Sequence, residues 1–129
     1  MGKHTVSAVL FAKSVLKVAP FYREVLGARS LDRGDVHELL DCDGFHLLIQ
    51  QIPGALSETI EIDTPPLRRE QTAVRLNFQV ADLELARVNA QRLGGHIDDQ
   101  PPPWAGGRAD VRLGYDPEGN VVGLKEVAR

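Results

Sequence analysis

The chain is 129 residues long, 43% hydrophobic and 26% charged, with a formal charge of −3. That length fits one domain able to bury about two thirds of the surface its unfolded chain exposes, and the composition excludes disordered and fibrous classes. The weak negative charge gives no basic footprint for nucleic acid, no apolar run reaches the ~20 residues of a membrane helix, and the single cysteine, Cys42, excludes an internal disulfide or a Cys-pair zinc site.

With no signal-peptide pattern at the N-terminus, a cytoplasmic protein is the expectation. Residues 5–12, TVSAVLFA, carry β-branched and apolar residues at strand length, and KSVLKVAPFYREVLG follows at helical spacing. Val15, Val18, Ala19, Tyr22 and Val25 share one side of that helix; Ser14 is placed to cap it and Gly27 to close it. Pro20 predicts a kink or a later first turn, because proline removes a donor and crowds the preceding turn. Turns at residues 33–35 and 42–44 divide the next stretch into three short strands. Residues 53–72, rich in Pro, Glu and Thr, read as a linker containing one short edge strand, with the arginines of PPLRRE solvated and available to a partner subunit.

The second half repeats the order. AVRLNFQV is a strand, DLELARVNAQRLGG a helix capped by Asp82 and closed by Gly94, and the remainder supplies further strands and turns. Ser14 answers to Asp82, and VLGA to RLGG. The expectation is a single α+β domain of two βαβββ modules, about 4–52 and about 73–128, joined by the linker.

Alternation separates the faces. Val6, Ala8, Leu10 and Ala12, then Leu47 and Ile49, Val74, Leu76, Phe78 and Val80, and finally Val122 and Leu124 are predicted to face the helices. The opposite face then holds Ser7, Val9, Phe11, His46, Leu48, Gln50, Arg75, Asn77, Val121, Gly123 and Lys125. It is too polar for a sealed core and too apolar for an ordinary solvent face. Gly123 interrupts a strand there, which marks either a bulge or a close approach by a ligand or another backbone. Trp104, in QPPPWAGGRAD, sits between stiffening prolines and freeing glycines, as a wall over a binding face or as a plug in the core or a dimer contact.

With FYREVLG after the first strand and DPEGN before the last, the chain resembles the vicinal oxygen chelate superfamily, which includes glyoxalase I, ring-cleaving dioxygenases, and fosfomycin- and bleomycin-resistance proteins. The resemblance implies that the modules curl their strands into a cup with the helices outside, partly open and barrel-like. It also implies four metal-ligand positions, usually His or Glu, which fall here on Ser7, Leu48, Arg75 and Gly123. None is a good ligand, and Arg75 brings a positive charge to the place of a cation. Shifts of two residues keep the face and reach His46, Asn77 and Lys125, but one histidine cannot make a site. No divalent metal or other cofactor is therefore expected.

The implied function is metal-independent binding of an organic, aromatic or anionic molecule, as in the bleomycin-resistance branch. The expected ligand-binding residues are Ser7, His46, Leu48, Gln50, Arg75, Asn77, Trp104, Gly123 and Lys125. Arg75 is either an anchor for a carboxylate, phosphate or phenolate or a bridge to an acidic residue such as Glu126 or one across a dimer contact. A homodimer is expected, with no nucleic-acid or membrane partner. The alternatives are a metal-dependent lyase or dioxygenase using His46 with Glu38 or Glu126, and a structural or regulatory dimer whose cup is filled by its own side chains. Cys42 reads as unreactive, and His4, His37 and His96 as surface residues.

Overall fold

The computed structural model describes residues 6–128. Module one runs β1 (Ser7–Ala12), α1 (Val15–Leu26), β2 (Arg29–Arg33), β3 (His37–Cys42) and β4 (Phe45–Gln51). A single-turn helix, α2 (Gly54–Ser57), begins the linker. Module two runs β5 (Leu76–Val80), α3 (Leu83–Arg92), β6 (His96–Ile97), a 3-10 turn (Pro103–Ala105), β7 (Val111–Tyr115) and β8 (Val121–Glu126). The sheets have the orders β1-β4-β3-β2 and β5-β8-β7-β6, so each module places its first strand parallel to its last, at a sheet edge. Neither sheet closes on itself, which gives a curled, cupped α+β architecture rather than a barrel.

The repeat holds down to single side chains. Ala12 pairs with Gln51 and Val80 with Glu126, and each of these last-strand residues reaches the start of its module's helix. Gln51 Oε1 accepts the Val15 N–H at 3.0 Å, and Glu126 Oε1 accepts that of Leu83 at 2.8 Å. Both helix N-termini thus have an orphan donor satisfied from the sheet. Asp82 adds a side-chain cap, accepting from Leu85 N at 3.0 Å, whereas Ser14 occupies the cap position without a side-chain bond. Gly27 closes α1 in the left-handed conformation, φ 63°.

One core spans the modules. Val15, Val18, Phe21, Tyr22 and Val25 of α1 pack with Leu40, Leu47 and Ile49 of the first sheet and with Phe78, Val80, Ile97, Val122 and Leu124 of the second. Tyr22 meets Phe21 and Phe78 edge to face at 5.1 and 6.2 Å, and Phe45 meets Phe78 at 5.9 Å. The modules therefore join through α1 against α3 and β5.

Four expectations are corrected. The linker has no edge strand; it forms α2 and then a single bridge between Arg69 and Asn120. PPLRRE is not simply solvated, since Arg68 makes a two-pronged pair with Asp98 at 2.8 and 2.9 Å and lies 6.0 Å from the Tyr115 ring. The fifth strand starts at Leu76, because its first partner is Val122 and nothing pairs with the residues before it; Val74, expected inside, is exposed, as is Val6 ahead of β1. Finally, α1 begins directly after Ser14 despite Pro20. Pro20 deprives the Leu16 carbonyl of a donor, but Leu16 is at the surface, where solvent is at hand to satisfy it.

Candidate functional site

On the face of the second sheet turned away from the helices, Asn77, Gly123 and Leu113 form one row across β5, β8 and β7. The missing side chain of Gly123 has a local cause. A Cβ there would overlap Asn77 Oδ1 and come within 3.7 Å of Arg75 Nε. The space is thus taken by the Asn77 amide, which accepts a hydrogen bond from Arg75 Nε at 3.2 Å. β8 runs through Gly123 in regular register with both neighbours, so the bulge reading does not hold.

Arg75 also lies against Trp104, its Cζ 5.4 Å from the ring centroid, within cation–π range. Trp104 is carried on the 3-10 turn that ends in Gly106 and Gly107, both at positive φ, 64° and 84°. Trp104 is 60% exposed, so it does not plug the core. The Arg75 fork that remains, its two terminal nitrogens, makes no hydrogen bond or ion pair among the described residues. The predicted bridge to Glu126 does not form, because Glu126 points to the helix side and accepts from Leu83 N.

The module-one residues form a second patch. Ser7 pairs in register with His46, Val9 with Leu48 and Phe11 with Gln50. His46 Nε2 is 4.0 Å from Asp41 Oδ1, and Gln50 Nε2 donates to the Val36 carbonyl at 3.2 Å. Val9 and Phe11 are 51% and 61% exposed on the edge strand. The structure therefore brings Arg75, Asn77, Trp104 and Gly123 together, keeps Ser7, His46, Leu48 and Gln50 on the other sheet, and leaves Lys125 exposed two residues along β8 from Gly123. Among the described residues, no hydrogen bond, ion pair or ring contact joins the two sets.

The four positions where the resemblance implies metal ligands do not suit a divalent cation. Ser7 and Leu48 correspond to Arg75 and Gly123 in the repeat, and the only strongly polar group of the four is a cation. The shifted set fares no better. Glu38 lies on the helix side, 3% exposed, held by Arg23 at 2.7 and 2.8 Å and by Arg33 at 3.3 Å, on the opposite face from His46. Among the described residues, no three His, Cys, Asp or Glu side chains are grouped to hold a metal.

Cys42 is half-buried beside the core, and burial, assisted by Asp41, pushes its thiol up to about 11. His37 and His96 are partly exposed beside Asp32 and Asp98, and His4 lies outside the described residues. Leu113, the third member of the central row, was missed, although its alternation in VRLGY marks the face. Beside Trp104 and Leu113 an open cleft of about 470 Å³ is also lined by His96, Pro103, Arg68 and the acidic Glu70, Asp98 and Asp99, the first two of which pair with Arg68. Two cavities are larger, one of about 1020 Å³ between α1, the linker and the turn after α3, and another of about 700 Å³ between the modules, which Asn77 also lines. The charged fork and aromatic wall locate the candidate site better than volume does. No helix among the described residues is long and apolar enough to cross a membrane.

The family model for a glyoxalase-like domain matches residues 7–124. Among solved structures, a protein of unknown function from Agrobacterium tumefaciens is 25% identical, with TM-score 0.63, covering 98% of this chain and 96% of that one. The fosfomycin resistance protein FosX from Listeria monocytogenes is 17% identical, with TM-score 0.65 and coverage of 99% and 94%. A glyoxalase/bleomycin resistance protein from Albidiferax ferrireducens is 14% identical, with TM-score 0.63 and coverage of 95% and 97%. No curated protein matches. These last two likenesses carry the fold alone. The match over nearly the whole chain, on a fold of two repeated βαβββ modules, means that the chain belongs to the glyoxalase-like family within the vicinal oxygen chelate superfamily.

Proposed function

We propose that the protein binds a small organic molecule on its cup face without a metal ion. One observation carries this reading: a family position suited to a metal ligand holds Arg75, whose guanidinium is fixed by Asn77 and Trp104 with its terminal donors unengaged. A cation placed there would meet a positive charge, whereas an electron-rich molecule would meet hydrogen-bond donors and an aromatic wall. FosX from Listeria monocytogenes has been crystallised, as an E126Q mutant, with Mn(II) and 1S,2S-dihydroxypropylphosphonic acid.

The same reading includes a homodimer. β1 is an edge strand with Val9 and Phe11 exposed on its cup face, a liability that pairing with a second copy would cover. Sedimentation at two concentrations checks that part.

The binding reading is tested by a thermal-shift screen of small organic molecules, run with chelator and then with Mn(II), Zn(II) or Ni(II). Stabilisation by a compound in chelator, unchanged by metal, supports it. One tightly bound metal per chain, or binding that appears only with metal, would overturn it in favour of the metal-dependent lyase or dioxygenase reading. No binding under either condition favours a cup filled by its own side chains.

A further inference from the structure

We infer that Arg75, Asn77 and Gly123 form a single recognition device for a carboxylate attached to a flat, aromatic body, with Asn77 and Gly123 as positioning residues. The inference rests on the cup-binding reading and deepens it.

A guanidinium presents five N–H donors, and its Nε side and its terminal end are different binding edges. Here Nε is engaged by Asn77 Oδ1 at 3.2 Å. That leaves the terminal fork, whose two parallel donors match the two oxygens of a planar carboxylate. Nothing else among the described residues bonds to that fork, so its donors are available on a side chain already held in place. Holding it lowers the ordering cost that a free arginine would incur on binding.

Gly123 is part of the device because of what it lacks. It is the register partner of Asn77, and a Cβ would overlap the amide oxygen that holds Arg75. Alanine at this position would push Asn77 aside and release Nε. In module one the equivalent pair is Val9 and Leu48, two apolar side chains, so the glycine is not a requirement of the strand pairing itself. The aromatic preference comes from the surroundings. Trp104 lies 5.4 Å from the guanidinium carbon, and Leu113 stands next to Gly123 in the row, beside the cleft of about 470 Å³. A ring carried on the bound carboxylate meets both. A dianionic phosphate would call for a second fixed, unpaired cation, whereas Lys125 is exposed two residues along β8 and Arg68, beside the cleft, is already paired with Asp98.

The test uses the full chain and four probes: 2-naphthoate, 2-naphthamide, cyclohexanecarboxylate and naphthyl phosphate. Trp104 is the sole tryptophan, so its fluorescence reports on the site directly. Naphthoate is expected to bind at least about tenfold more tightly than the amide, which lacks the charge. It is also expected to outbind the other two acids. R75K keeps the charge but loses the fork, and is expected to weaken naphthoate by about tenfold or more.

The decisive comparison is N77A, G123A and the double variant. Each single change is expected to weaken naphthoate and alter the ligand-free Trp104 emission as Arg75 loosens. The double variant is expected to be no worse than either single one, because removing Asn77 removes the clash. Multiplying losses in the double variant, wild-type binding by R75K, or equal binding of amide and acid would each overturn the inference. If other compounds bind the cup but no aryl carboxylate does, the inference fails and the cup-binding reading stands. If nothing binds, both fail.

Discussion

The carboxylate of Glu118, in the turn before β8, accepts the backbone N–H of Ser14 at 2.8 Å across 104 residues of chain. Its other oxygen accepts the Lys13 N–H at the same distance. One buried side chain from module two thus satisfies two donors ahead of α1 in module one, and places negative charge where the helix dipole favours it. Replacing the carboxylate with an amide turns one of those acceptors into a donor facing a donor. E118Q is therefore expected to cost about 2 kcal/mol of stability. Urea denaturation checks this: the midpoint should fall while the slope stays the same, because the exposed area on unfolding is unchanged.

Asp116 is the centre of the same turn. Its Oδ1 accepts from Glu118 N and Asn120 N at 2.8 and 3.0 Å, and its Oδ2 from Tyr22 OH and Asn120 Nδ2 at 2.7 and 2.9 Å. Burial raises the Asp116 carboxyl above its ordinary value, opposed by these hydrogen bonds, and burial with Asp116 raises the Tyr22 hydroxyl well above its own. A raised carboxyl favours the folded state when protonated, and this contribution is lost as pH rises through the folded value. Y22F removes one hydrogen bond that favours the ionised form, so Asp116 should rise further. The stability deficit of Y22F relative to the native protein is expected to be larger at about pH 7 than at about pH 3. Equal deficits at both would mean that the hydroxyl does not act through Asp116's charge.

Cys42 offers a check on burial by chemistry. With its thiol raised from 9.0 to about 11, the folded protein carries about a hundredfold less thiolate than an exposed cysteine at neutral pH. Labelling by a small thiol reagent is expected to be correspondingly slow, to quicken as pH rises toward 11, and to recover ordinary rates in denaturant. Fast labelling of the folded chain at neutral pH would contradict the packing of Cys42 against the core.

These contacts also show where the sequence could be read and where it could not. Local signals predicted the repeat: Ser14 and Asp82 before their helices, Gly27 and Gly94 after them, and period-two alternation in LNFQV and HLLIQQ are written in adjacent residues. The limits of β5 were not, because strand length depends on whether a partner lies alongside, and Val74 has none. The reason for Gly123 was legible only in part. Its position on the polar face followed from alternation, but its cause is the Asn77 amide, which crosses from another strand. The pairing of Arg68 with Asp98 is likewise a meeting of distant segments, which composition could only describe as a charged linker.

The glycine of the turn, Gly119, separates these two kinds of information. It has φ 88°, a conformation that any turn can ask of glycine, and a Cβ there would also overlap the Leu67 carbonyl, where the linker crosses. Gly44 has φ 95° with nothing near its Cβ position. G44A is therefore expected to cost about 1 kcal/mol from the backbone alone. G119A should cost more, since it also displaces the linker and the Arg69–Asn120 bridge. Equal losses, measured by chemical denaturation, would show that the linker yields freely.

The last expectation concerns the metal. If Gly123 were simply a lost carboxylate ligand, G123E would restore part of a metal site. In the structure the new side chain would have to pass Asn77 Oδ1 and would arrive beside Arg75, whose Nε is 3.7 Å from the Cβ position. A carboxylate there pairs with the guanidinium in place of a cation, and Ser7, Leu48 and Arg75 at the equivalent positions add no ligand. G123E is thus expected to bind no more Mn(II) or Zn(II) than the native chain by calorimetry, and to lose aryl carboxylate binding because its own carboxylate competes for Arg75. R75H/G123E removes the cation and supplies two ligands. Metal uptake by that double variant, with none by G123E alone, would identify Arg75 as the group that keeps a cation out of the cup.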